Sequence, residues 1–112
     1  MTATVIHVLS VPLVLAALVS SGVAADLVAG KDKAGVCATC HGLDGIAKAP
    51  DAPNLAGESA IYIAGQLKAF RSGSRQHQQM SIIASGLNDE DIADLAAWYS
   101  AIKVTATMPA VE

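Results

Sequence analysis

The sequence predicts an all-α domain. Three stretches combine apolar residues at helical positions with residues that favour helix ends, among them Asp26, Gly73 and Asn88. We expect these stretches to form three main helices that pack around a small core. A domain of this size often needs an additional covalent or metal-based support.

The first 25 residues differ in composition from the rest. Seventeen of them are apolar and none is charged. The run 8–19 has the length of the apolar region of a signal peptide and is short for a membrane span. We expect a signal peptide over 1–25, removal before Asp26, export to the periplasm and no stable membrane insertion afterwards. No Lys or Arg precedes the apolar run, so an uncleaved anchor remains the alternative.

All seven basic and all ten acidic residues follow the leader, and the net charge is −3. This mild acidity, without a basic stripe, argues against a nucleic-acid partner.

The first helix is predicted over 26–40, with the Asp26 carboxylate at its N-terminal end. Gly30 and Ala34 lie four residues apart and leave a flat strip on one face. A closely crossing second helix would use that strip. Otherwise Gly30 only weakens the helix.

The stretch Cys37-Ala38-Thr39-Cys40-His41 has the spacing of a c-type haem attachment site. One helical turn separates two thiols that can add to the vinyl groups of one porphyrin edge. His41 then lies where an imidazole nitrogen can bind iron. A single covalent haem c is therefore predicted on Cys37 and Cys40.

Three other interpretations of the two cysteines remain open. A thioredoxin-like pair would follow a strand and does not require the histidine. A zinc site needs further ligands, and only His7 and His77 remain as histidines. A disulfide between Cys37 and Cys40 would close a very tight loop.

The stretch 42–57 has the Gly, Ala, Asp and Pro content of a loop. Pro53 keeps its carbonyl, and an iron-bound imidazole needs an acceptor for its other ring N–H. The Pro53 carbonyl is a candidate for that role toward His41, although a simple loop proline explains the spacing equally well.

The second helix is predicted from Glu58 or Ser59 to about Ser72, with Gly73 ending it. The stretch 74–79 is polar and predicts an exposed loop that ends at Met80. A methionine there is a candidate sixth iron ligand, because its soft thioether favours ferrous iron. Met80 as a core filler, His77 and Met108 are the alternatives.

The last helix has the clearest signals. Asn88 is placed to cap it, Asp91 lies at the third helical position, and Leu95 and Tyr99 lie on one apolar face. Its small alanines could cross the Gly30/Ala34 strip. Residues 105–112 are predicted to be a loose tail after a domain that ends near 104.

In this order the motifs resemble class I cytochromes c, and most of all one haem domain of the periplasmic dihaem cytochromes c. The resemblance rests on the pentapeptide at 37–41, Pro53-Asn54-Leu55-Ala56-Gly57, the stretch 66–73, Met80 and the stretch 87–99. It implies the class I cytochrome c fold, His41 and Met80 as axial ligands, and one-electron transfer rather than enzymatic catalysis. It also makes the Pro53 role more plausible.

The chain departs from those dihaem relatives in having one attachment motif and no internal repeat, so one haem is expected. Relatives also suggest a basic or amide side chain near the ligand loop that meets a haem propionate. Arg75 is the candidate.

The resulting hypothesis is a periplasmic electron carrier that docks weakly with redox proteins, such as a membrane cytochrome complex, a terminal oxidase or a periplasmic dehydrogenase. One alternative is a haem-bearing subunit of a larger oxidoreductase. Another is a haem enzyme or sensor with an open sixth position.

Overall fold

The computed structural model describes residues 24–111. The predicted leader therefore lies almost wholly outside the described residues. Within 24–111 all regular elements are helical, and no helix there is long and apolar enough to cross a bilayer. The five α-helices are α1 (Leu27–Lys33), α2 (Ala38–His41), α3 (Ala60–Ser72), α4 (Gln78–Ser85) and α5 (Asp89–Ala101), with a 3-10 turn at Ala34–Val36. The predicted all-α class is confirmed.

Helix α1 crosses α5 at very short range, and Gly30 makes the approach possible. A Cβ on Gly30 would lie 2.8 Å from the Asp94 carbonyl carbon and 3.0 Å from the Trp98 Cβ. Ala34, one turn later, is fully buried. The predicted crossing at the Gly30/Ala34 strip is thus confirmed.

Helix α5 begins with a complete capping box. The Asn88 side chain accepts from the Asp91 N–H at 2.8 Å, and the Asp91 carboxylate accepts from the Asn88 N–H at 3.0 Å. The apolar face of α5 then packs on α1 and α3. The buried core residues are Ala34, Ile63, Leu67, Ile92, Leu95, Ala96 and Tyr99.

Helix α3 follows its prediction closely. Ser59 caps it by accepting from the Tyr62 N–H, and Gly73 ends it at a φ of 80°. That left-handed backbone is readily adopted by glycine alone.

Two predicted boundaries are wrong. The first helix is not continuous to Cys40, because the 3-10 turn interrupts it after Lys33. Met80 does not end a loop: α4 begins at Gln78, and Met80 is its third residue. The reason is a cap that side-chain preference does not predict, since the His77 imidazole accepts from the Met80 N–H at 3.3 Å.

Candidate functional site

The turn that carries the two cysteines follows α1 and the 3-10 turn Ala34–Val36, rather than a strand. The Cys37 carbonyl accepts from the His41 N–H at 2.9 Å, so Cys37 and Cys40 lie one helical turn apart. Both are free thiols and both are partly buried. Burial raises the pKa of the Cys37 thiol.

His41 has a defined tautomer. Its side chain is 8% exposed, and its Nδ1 lies 2.9 Å from the Pro53 carbonyl oxygen. A carbonyl oxygen can only accept, so Nδ1 carries the proton and donates it. This leaves Nε2 as the ring nitrogen that can bind a metal.

The chain after His41 is fixed by backbone groups. Gly42 has a φ of 74° and turns the chain away from α2. The Cys40 carbonyl accepts from the N–H groups of Lys48 and Ala49 at 2.8 and 3.2 Å. These bonds bring the loop back toward the attachment turn and position Pro53 over His41.

Helix α5 holds the same loop from the other side. The Tyr99 hydroxyl donates to the Gly42 carbonyl at 3.1 Å, and the Trp98 indole N–H donates to the Leu43 carbonyl at 3.1 Å. Tyr99 is almost fully buried, and burial together with the nearby Cys37 raises the pKa of its phenol. The hydroxyl thus stays protonated and remains a donor.

Met80 faces the attachment turn from the opposite side. It lies in the first turn of α4, whose N-terminus is capped by His77. The His77 ring packs edge-on against Phe70, with 6.5 Å between ring centroids. The cap therefore joins α4 to the apolar face of α3.

A cavity of about 340 Å³ separates these two sides, a size typical of a ligand or cofactor site. Cys37, Cys40, His41 and Met80 all line it. Most of the remaining wall is apolar or aromatic. This part includes Pro53, Leu55, Tyr62, Ile63, Leu67, Phe70, Ile83, Leu95 and Tyr99.

Arg75 also lines the cavity. Its guanidinium lies 4.5 Å from the centroid of the Phe70 ring and donates to the Gln66 side chain. These two contacts hold a positive charge at a mostly apolar wall, which also contains the acidic residues Asp51 and Glu58. Met108, the rival methionine, is 86% exposed and does not line the cavity.

A sequence model of the cytochrome c family matches residues 27–102, most of the chain. The chain belongs to the cytochrome c family. As a cytochrome c it is an electron-transfer protein with a covalently bound haem c.

The residues present fit that cofactor. Two free thiols one turn apart can form its thioether links, and beside them lies the His41 imidazole, whose Nδ1 bonds to Pro53 and whose Nε2 can bind iron. A mostly apolar cavity suits a flat, mostly apolar ring, and Arg75 is the lysine or arginine of its wall that could meet an acidic substituent. When bound, the haem supplies an iron that can accept or give up one electron.

Relatives and solved structures agree with this cytochrome c assignment. The chain is 51% identical over 80 residues to cytochrome c-554(548) of Halomonas halodenitrificans, covering 69% of this chain and 96% of that protein. It is 45% identical over 67 residues to a thiosulfate dehydrogenase electron acceptor of Stutzerimonas stutzeri, covering 59% of this chain and 31% of that one.

Among solved structures, reduced cytochrome c4 from Pseudomonas stutzeri superposes with a TM-score of 0.66 at 37% identity. The match covers 71% of this chain and 47% of that one. The chain thus spans nearly the whole of one relative and half or less of the other two.

Sequence reasoning missed three contributors to this site. The roles of Tyr99 and Trp98 as hydrogen-bond donors to residues 42–43 were not predicted, although a tyrosine on an apolar helical face needs a partner for its hydroxyl. The capping role of His77 had no sequence signal, because histidine is not among the residues preferred at that position.

Proposed function

We propose that this cytochrome c is a periplasmic one-electron carrier in which His41 and Met80 are the two axial ligands of a haem attached to Cys37 and Cys40. The observation that carries the proposal is that all four side chains line one apolar cavity, with the Nε2 of His41 free. With both axial positions filled, the iron has no vacant site for a substrate.

The other predicted site residues have supporting roles in this proposal. Pro53 accepts from the Nδ1–H of His41, which leaves Nε2 for the iron and fixes the plane of the ring. Arg75 lies where its guanidinium can pair with an acidic substituent of the haem. Ligation by a thioether favours ferrous iron and raises the reduction potential.

The visible spectrum of the oxidised holoprotein tests the ligand set. We expect low-spin ferric haem with a sulfur-to-iron charge-transfer band, which Met80→Ala abolishes while lowering the reduction potential. Met108→Ala is the matched control and leaves both unchanged. A high-spin ferric spectrum in the unaltered protein would instead support a haem enzyme or sensor with an open position.

Partner docking is proposed to use the cavity rim rather than charge. Val36 and Tyr62 line the cavity, and they are 68% and 53% exposed. The net charge is −3, without the lysine excess that steers many carriers. Contact through an apolar rim suits weak and brief association.

The proposed partners are redox proteins: a membrane cytochrome complex, a terminal oxidase or a periplasmic dehydrogenase. The name of one relative, an electron acceptor of thiosulfate dehydrogenase, supports the last of these.

Electron-transfer rates with such partners should change little with ionic strength, and the Val36→Lys variant should transfer electrons more slowly. A rate that drops steeply with salt would contradict rim docking. Co-elution of the native protein with a large complex would identify a permanent subunit.

A further inference from the structure

The α1–α5 crossing contains a buried carboxylate with two donors. Asp94 is 1% exposed. One of its oxygens accepts from the backbone N–H of Asp26 at 2.7 Å, and the other accepts from the Lys33 ammonium at 2.7 Å. The Lys33 ammonium also contacts the Asp91 carboxylate at 2.9 Å.

The charges of this cluster do not balance. Asp91 and Asp94 share the single cation of Lys33. Each removes part of the attraction available to the other, and a buried carboxylate is costly unless it is fully paired. The other donor to Asp94 is the backbone N–H of Asp26. It carries no formal charge as long as Asp26 is joined to Ala25 by a peptide bond.

Asp26 is also where the folded domain begins. Its carboxylate caps α1 through the N–H groups of Val28 and Ala29, and its carbonyl accepts from the Gly30 N–H. Ala24 and Ala25 precede this cap; they are exposed and belong to no helix. The predicted end of the leader falls at this same boundary.

We propose that hydrolysis of the Ala25–Asp26 peptide bond creates an α-ammonium group on Asp26 that forms an ion pair with the buried Asp94 carboxylate. Water supplies the atoms, leaving the Ala25 carboxylate on the leader and the amino group on Asp26. α-Amino groups titrate near pH 8, so this group is largely protonated at neutral pH. The cluster gains a second cation, and a neutral hydrogen-bond donor becomes a charged one. This inference rests on the proposed removal of the leader.

The intact mass of the haem-loaded protein tests the cleavage position. The full chain is expressed in a bacterium that attaches haem c and is recovered from the exported fraction. We expect a chain that starts at Asp26. A chain that starts at Ala24, Ala25 or elsewhere overturns the ion pair while leaving export intact. An unprocessed chain overturns leader removal as well.

A second experiment tests the ion pair itself. A leader with a fixed cleavage site of its own is used to produce two holoproteins, one starting at Asp26 and one starting at Ala25. In the second protein the Asp26 nitrogen is part of a peptide bond and carries no charge. The added Ala25 should lower Tm by about 4–8 °C, the shift expected for about 1 kcal/mol in a domain of this size. In Asp94→Asn the same addition should leave Tm unchanged. Equal shifts in both backgrounds, or no shift in either, would contradict the pairing.

A chemical readout avoids any dependence on the folding of Asp94→Asn. The α-amine is reductively methylated near neutral pH in the two holoproteins that keep Asp94, one starting at Asp26 and one at Ala25. The Asp26 amine should react about tenfold more slowly than the Ala25 amine, as a pKa one unit higher requires. Equal rates would show that the new terminus does not reach Asp94.

Discussion

The two sides of the haem cavity are held in different ways. The histidine side consists of residues 37–57 with α1 and α5 around them, and the methionine side consists of residues 73–87. On the histidine side, hydrogen bonds join residues far apart in sequence, such as Tyr99 to Gly42 and Asp94 to Lys33. On the methionine side, α4 packs mainly on α3 and is capped by its own neighbour, His77.

This difference assigns separate roles to the two proposed ligands. His41 is buried and its ring is fixed by Pro53, so its position follows the whole fold. Met80 is partly exposed and depends on a helix of eight residues. Two short-range bonds close the start of that helix: the His77 imidazole accepts from the Met80 N–H, and the His77 N–H donates to the Ser81 hydroxyl. Local opening requires less free energy where contacts are few and local. We therefore expect ligand exchange to occur at Met80 while His41 stays bound.

The largest effect is expected at the α1–α5 crossing. Gly30→Val should destabilise the domain by about 3 kcal/mol or more, because the valine side chain would overlap with the Asp94 backbone and the Trp98 side chain. Gly35→Ala is the matched control: a Cβ there meets no atom within 4 Å, so its change should stay within about 0.5 kcal/mol. Denaturant unfolding of the holoproteins measures both. Equal losses in the two variants would contradict the close crossing.

The next effect is a dependence on acid. Hydrogen bonding from the Asp26 backbone, followed by Lys33, holds the pKa of Asp94 below its usual range. The resulting stabilisation is present above the unfolded pKa of about 4 and is lost as the pH falls through the lower folded value. Asp94→Asn should cost about 1.5–3 kcal/mol at neutral pH. The difference from the unaltered protein should shrink below about pH 4.

Thermal unfolding from neutral pH downward checks this sign. The unaltered protein should lose Tm more steeply below pH 4 than Asp94→Asn does. Parallel curves would mean that Asp94 is not an important source of the acid sensitivity.

A smaller effect is expected where α5 meets the attachment loop. Tyr99→Phe removes the donor to the Gly42 carbonyl and should cost about 1–2 kcal/mol, since a buried acceptor loses its partner. Tyr62→Phe, at a half-exposed position on the cavity rim, should be nearly neutral. Chemical denaturation of the two single variants compares them directly. A neutral Tyr99→Phe would show that α5 does not fix the loop through this bond.

The smallest effect on stability is expected on the methionine side, where the rate of ligand exchange provides a second measurement. His77→Ala removes the cap of α4 at a cost of about 0.5–1 kcal/mol. If Met80 is the ligand, added imidazole should displace it about two- to fivefold faster, as that free energy implies.

His77→Asn restores a good capping side chain and should restore the slow displacement. The rate is followed by loss of the sulfur-to-iron band in the ferric protein. Unchanged kinetics in His77→Ala would separate the stability of α4 from ligand exchange.

The elements that could be predicted from the sequence are those with complete local signals. The bounds of α3 follow from Ser59 and Gly73, and the start of α5 follows from Asn88 and Asp91. The attachment motif identified the cofactor because its chemistry requires adjacent residues. The start of α4 was wrong, because Gln78 and Gln79 fall in the predicted loop: the cap of the helix is an imidazole, and its polar first residues hide its periodicity.

Long-range features could not be predicted in the same way. The 3-10 turn after α1 has no distinctive residue pattern. The pairing of Lys33 with Asp94 places a charged residue on a buried helical face, where periodicity alone would expect an apolar one. Such contacts depend on how two distant helices cross, which local propensity does not encode.

The hydrogen bond from Tyr99 to Gly42 also orders events in time. It joins residues 57 positions apart, so it cannot form until Tyr99 has been made. A chain that emerges N-terminus first presents Cys37 and Cys40 as an unclosed peptide during that interval. Until Tyr99 has been made, the attachment turn lacks the hydrogen bond that fixes it in the finished protein.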